Sequence, residues 1–129
     1  MKKSTLIQSL AAMTCAVALA VTPAFAEPPY RSGGVGLEER AEFAREAGQY
    51  NLRLEFSRAR DGAYFADVNV TIRDRAGKTV LALDQAGPLL YVALPAGTYR
   101  VQAVRNDVRK QASVQVGKRP ARSIFTWAD

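Results

Sequence analysis

Five carboxylates stand where acid–base chemistry is conceivable: Glu55, Asp61, Asp67, Asp74 and Asp84. A facing pair would serve as acid and base, as in glycoside hydrolysis. Asp61 and Asp74 adjoin glycine turns, where an Asp side chain commonly bonds backbone N–H groups. Glu55 falls on the polar side of an alternating stretch. Turn and surface roles are therefore expected, and no catalytic residue is assigned. The chain has no histidine, and its one cysteine is Cys15. Ser-His-Asp and Cys-His nucleophile systems are excluded on that ground. So are zinc, copper and haem sites built on imidazole, and no mature thiolate remains for one. A calcium loop of the Asp-x-Asp-x-Asp-Gly type is absent from the sequence. No metal and no cofactor is expected. Ser32-Gly33-Gly34-Val35-Gly36 precedes a helical stretch and offers backbone N–H groups to a phosphate. It lacks the lysine, the spacing and the preceding strand of a P-loop, so a flexible leader is the expected role.

Binding chemistry has more candidates. Arg100, Arg105, Arg109, Lys110, Lys118, Arg119 and Arg122 concentrate positive charge in the last 30 residues of a chain with net charge +6. Such a cluster suits anionic envelope polymers, lipid head groups or an acidic partner. Strand geometry sends neighbouring residues to opposite faces, so these charges need not form one patch. Tyr30, Tyr64, Phe65 and Tyr91 are candidates for stacking on carbohydrate. Tyr64 and Phe65 are adjacent, so at most one is expected to be buried. The candidate ligand or partner surface is therefore Tyr64, Phe65, Arg105, Arg109, Lys110, Lys118, Arg119 and Arg122.

The location of the chain constrains the partner. Met1-Lys2-Lys3 is a positive start, Leu6 to Val21 is largely apolar, and Ala24-Phe25-Ala26 ends the segment. These features describe a secretory signal peptide over residues 1–26, cut after Ala26. Its apolar core of about 16 residues is short of the roughly 20 that a bilayer span needs. The bulky Thr14 before Cys15 argues against a lipid-modified cysteine. A periplasmic or secreted protein is expected, with no transmembrane segment after cleavage. Nucleic acid is disfavoured as a partner by that location.

The elements that must position these residues follow the leader. Residues 27–36 hold two prolines and three glycines and read as an exposed, flexible leader. Residues 37–48 read as a short amphipathic helix, with Leu37, Ala41, Ala44 and Ala47 on its apolar face and Gly48 just past its end. Glu38 and Glu39 lie in its first turn, suited to the positive end of the helix dipole. From residue 49 to 129 the period changes to two. Leu52, Leu54 and Phe56 alternate with polar residues, as do Val68, Val70 and Ile72, and Ala112, Val114 and Val116. Thr79–Leu83, Leu89–Leu94, Tyr99–Val104 and Ser123–Trp127 complete seven short strands separated by turn residues. The pattern predicts an all-β fold, a seven-stranded antiparallel sandwich of Ig-like or transthyretin-like type preceded by the helix.

Leu94-Pro95-Ala96-Gly97-Thr98-Tyr99 links two of these strands. Pro95 suits the second position of a turn and Gly97 the fourth. A four-residue link that turns Leu94 and Tyr99 inward sorts apolar from polar residues; a hairpin in that register would set Val92 against Val101. A hairpin and a corner between sheets both satisfy the pattern. In a corner, the Tyr99 ring fills core while its hydroxyl bonds backbone.

The run LPAGTYRVQA, between two strands, resembles the carboxypeptidase regulatory-like domains of the transthyretin-like and Cna-B-like β-sandwich group. ADVNVTIRDRAGKTVL, residues 66–81, also resembles that group. More narrowly, the chain is similar to small secreted proteobacterial proteins known by this domain alone. They share the Ser-Gly-Gly-x-Gly leader at Ser32–Gly36, Tyr50-Asn51-Leu52, Gly62–Val68 and a final Phe-x-Trp at Phe125–Trp127. The resemblance covers roughly residues 32–127 and implies a stabilising or binding module, with no catalytic residues to carry over. The expected function is an exported, non-enzymatic interaction module of the cell envelope that binds a protein through loops or a strand edge. The alternative is a module for peptidoglycan, glycan or another anionic polymer.

Overall fold

Alternation of apolar and polar residues builds two facing sheets in the computed structural model, which describes residues 27–128. The segment expected to be a signal peptide, residues 1–26, lies outside the described residues, as does Cys15. In chain order the elements are β1 (Tyr30–Gly33), α1 (Leu37–Glu46), a single 3₁₀ turn (Ala47–Gln49), β2 (Leu52–Arg58), β3 (Val68–Arg73) and β4 (Thr79–Ala86). Then come β5 (Leu89–Val92), β6 (Gly97–Arg105), β7 (Val108–Val116) and β8 (Ala121–Trp127). The first sheet has the order β1-β5-β2-β8 and the second β4-β3-β6-β7. Leu52, Leu54 and Phe56 of the first sheet meet Val70, Ile72 and Val101 of the second, all of them buried. Each such side chain contributes about 1.5–3 kcal/mol on leaving water. Phe56, Phe125 and Trp127 cluster with ring centroids about 6 Å apart. The Trp127 indole N–H donates to the Val108 carbonyl at 3.0 Å, which ties the β8 edge of one sheet to the β7 edge of the other.

Two expectations need correction. Eight strands are present among the described residues, because the leader contains β1. That strand pairs antiparallel with β5, Arg31 opposite Tyr91. Ser32 Oγ accepts a hydrogen bond from Gly87 N at 2.8 Å. A Cβ on Gly87 would stand 2.7 Å from Gly33 Cα, so the backbones touch where neither residue has a side chain. The sandwich is not wholly antiparallel, since β8 runs parallel to β2 over seven residue pairs.

The helix is present, but with a different face inward. Phe43 is 1% exposed, whereas Leu37 is 87% exposed and Ala41 and Ala44 face solvent. The Phe43 ring meets the Tyr91 ring edge-on at 4.9 Å, on the outer side of the first sheet. Arg31 of β1 bonds Glu42 and Glu46 of α1, both at 2.6 Å. One aromatic contact and a forked ion pair therefore outweigh the alanine stripe, whose side chains bury little area. Gly48 falls within the 3₁₀ turn.

The LPAGTY segment is a corner between sheets. β5 pairs with β1 and β2, and β6 with β3 and β7, so Val92 and Val101 are not strand partners. Leu94 and Tyr99 are both buried. The Tyr99 hydroxyl donates to the Pro95 carbonyl at 2.7 Å. The Asn51 side chain clamps the corner from outside it. Its amide donates to Leu94 O at 2.7 Å and its carbonyl accepts from Leu94 N at 2.9 Å.

Candidate functional site

Strand direction divides the functional candidates between two ends of the sandwich. The β2–β3, β4–β5 and β6–β7 connections share the upper end. The β3–β4, β5–β6 and β7–β8 connections share the lower end. Helix α1 descends from the upper end along the first sheet.

The five carboxylates do not converge. Asp61 accepts from Ala63 N at 3.1 Å and from Arg58 at 3.0 Å, in the β2–β3 loop. The bond from Ala63 N, ahead of Arg58, holds its carboxyl below the usual carboxylate range. Asp74 closes the lower β3–β4 turn, accepting from Ala76 N and Lys78 N. Asp67 pairs with Arg105 at 3.0 Å at the upper end. Glu55 and Arg122 approach to 3.7 Å on the outer face of the first sheet. Asp84 stands exposed on β4. Among the described residues no group of three or more His, Cys, Asp or Glu side chains is placed to hold a metal.

The glycine-rich leader already holds an anion. Gly34 N and Val35 N both donate to Glu39 Oε1, at 2.9 and 3.0 Å. A side chain from the first turn of α1 thus fills the concavity that a phosphate would need. This is one half of a capping box, with Glu39 reaching back to N–H groups before the first turn and Gly36 at the N-cap offering no side chain in return.

The eight predicted surface residues are dispersed. Phe65 is buried against Trp127, at 6.2 Å between ring centroids. The Arg105 guanidinium covers its other side at 3.6 Å. Arg109 and Lys110 lie in the upper half of the β7 edge, and Lys118 and Arg119 in the lower β7–β8 connection. Arg122 is on β8, on the outside of the first sheet. Only Arg105 and Phe65 of the set meet in the contacts described.

Tyr64 keeps a different company. It is 50% exposed, and the Arg40 guanidinium lies 3.7 Å above its ring. Arg40 Nε donates to Gly34 O at 3.1 Å, while its Nη2 is buried without an acceptor. Val35, at 67% exposure, and Leu37 rise beside Tyr64. With Gly34, Ala66 and Pro88 they bound a cleft of about 430 Å³ at the upper end, mostly apolar in lining. Scattered apolar side chains are ordinary on a surface, but a contiguous group around a concavity is an interaction feature. Sequence reading missed Val35, Leu37 and Arg40 because the helix was expected to bury Leu37. The signal present was Phe43, the one large apolar residue within the helix besides its first.

A second depression of about 480 Å³ lies on the solvent side of the second sheet, towards the lower end, among Arg73, Arg75, Arg100, Gln102, Gln111 and Ser113. Comparison with protein-family models, curated proteins and solved structures gave no match.

Proposed function

We propose that the chain is an exported, non-enzymatic interaction module of the bacterial cell envelope, of the carboxypeptidase regulatory-like, transthyretin-like sandwich type. It engages a protein partner through loops at its upper end. The observation that carries this reading is the cleft between Val35, Leu37 and Tyr64, held open by elements with little freedom to close it. The β1–α1 loop is pinned by Glu39, and Tyr64 is held beneath Arg40. The partner presents an aliphatic or aromatic side chain to the apolar rim and a carboxylate to Arg40. The sequence's lack of histidine and the separation of its acidic groups favour binding over catalysis.

Export is tested by the mass of the product recovered from the cell envelope, which should begin at Glu27. Binding is tested with a photo-cross-linking side chain at position 37, and at position 118 on the opposite end. Adducts to one discrete protein from position 37, lost on Tyr64→Ala, support the proposal. Equal adducts from both positions, or none from either, refute it. Leu37→Asp should abolish the adduct from a cross-linker at position 35 while leaving thermal stability near the parent's, because Leu37 is already in water.

A further inference from the structure

The second sheet carries an unexplained juxtaposition on its solvent side. Arg73 of β3 and Arg100 of β6 are direct cross-strand partners. Facing residues in an antiparallel pair bring their Cβ atoms to about 5 Å, and like charges there oppose folding. Both side chains are exposed, and among the described residues neither makes an ion pair. Arg75 adds a third guanidinium from the β3–β4 turn, lining the same groove. The acid beside them, Asp74, spends Oδ1 on two backbone N–H groups of its own turn.

Neutral polar groups flank the arginines in register. Thr79, Arg73, Arg100 and Ser113 form one row across the four strands. Thr71, Gln102 and Gln111 form the next, with Gln111 donating to Gln102 at 3.3 Å. Towards the lower end the groove shares Thr98 with a further depression that Gln115 and Arg119 line. One further guanidinium, Arg119, therefore lies beyond the arginine pair, with amides and hydroxyls between.

We infer that this face binds an anionic saccharide, with a carboxylate or phosphate of the ligand seated between Arg73 and Arg100. Guanidinium groups pair such anions through two parallel hydrogen bonds, and an anion between them offsets the Arg73–Arg100 repulsion by attracting both. Thr98, Gln102, Gln111 and Ser113 supply donors and acceptors for sugar hydroxyls, which a bare polyanion would not use. This site lies on a different face and at the opposite end from the upper cleft, and stands independently of it. Together they would let one small sandwich join an envelope protein to an acidic glycan.

The test is a titration of the purified protein, followed by amide NMR shifts, with tetragalacturonate, its full methyl ester and inorganic phosphate. Tetragalacturonate should move amides of residues 73–75, 98–102 and 111–113 saturably at low salt, and the effect should fade as salt screens the charges. The ester should not bind. Arg73→Gln and Arg100→Gln should each weaken binding about tenfold or more, the scale of a charge-assisted bond, while Arg122→Gln on the other sheet should leave it unchanged. Without ligand, both weakening variants should melt no lower than the parent, since each removes a like-charge contact. Absence of saturable uronate binding overturns the inference, as does equal affinity for the ester or equal weakening by Arg122→Gln. Shifts from phosphate alone would reduce the site to a simple anion site and overturn the saccharide assignment.

Discussion

Tyr99 hydrogen-bonds the carbonyl of Pro95, four residues before it, while its ring lies in the core between the sheets. One side chain thus fixes both the angle of the corner and its attachment to the interior. Tyr99→Phe keeps the ring and leaves the Pro95 carbonyl to water. It should cost about 0.5–1.5 kcal/mol, measured by urea denaturation. Tyr99→Ala adds a cavity and should cost about 3 kcal/mol or more.

The same phenol makes the fold sensitive to alkali. Burial, and then the nearby charge of Asp74, raise its pKa above the ordinary 10.0. The native state therefore holds this proton more tightly than the unfolded chain does. The stability so contributed is intact below about pH 10 and is lost as pH rises through the native value. Denaturation midpoints should fall in that window for the parent, and fall less for Tyr99→Phe.

Gly87→Ala should break the seam between the leader strand and the sheet. The new methyl would meet the Gly33 backbone at 2.7 Å, and backbone cannot swing aside as a flexible side chain does. The cost should be about 1–3 kcal/mol. Hydrogen exchange should show the Arg31 and Gly33 amides losing protection before those of β3 and β6.

Phe43→Ala should release the helix while sparing the sandwich. Deleting a buried phenyl costs about 3–5 kcal/mol where the surroundings cannot collapse. Here the loss falls on a ten-residue helix, which is marginal in water without tertiary contacts. The 222 nm helical signal should drop, with the near-ultraviolet band of buried Trp127 retained.

The strands were legible because their periodicity is local. Leu52, Leu54 and Phe56 announce an inward face without reference to any partner. The inward turn of Leu94 and Tyr99 followed from the same rule. What escaped depends on residues far apart in sequence. β1 exists because Gly33 meets Gly87, and nothing near Gly33 signals that partner. The Asn51 clamp on Leu94 spans 43 positions. The parallel pairing of β8 with β2 has no turn to announce it. The face of α1 was misread because four small or exposed residues outvoted Phe43 in a count of apolar positions. The Arg73–Arg100 pair was hidden for a related reason. Along the sequence, positive and negative charges nearly balance over residues 27–99, whereas the sheet places β3 beside β6.

The zipper between β2 and β8 has a consequence for biogenesis. Its paired residues stand 69 positions apart in sequence, and the later strand ends at Trp127. A polypeptide that emerges amino terminus first therefore cannot complete this sheet until Trp127 is free to pair. Contacts so distant in sequence also delay closure after release. Whatever emerges first is thus held short of the closed sandwich by the order of the strands alone.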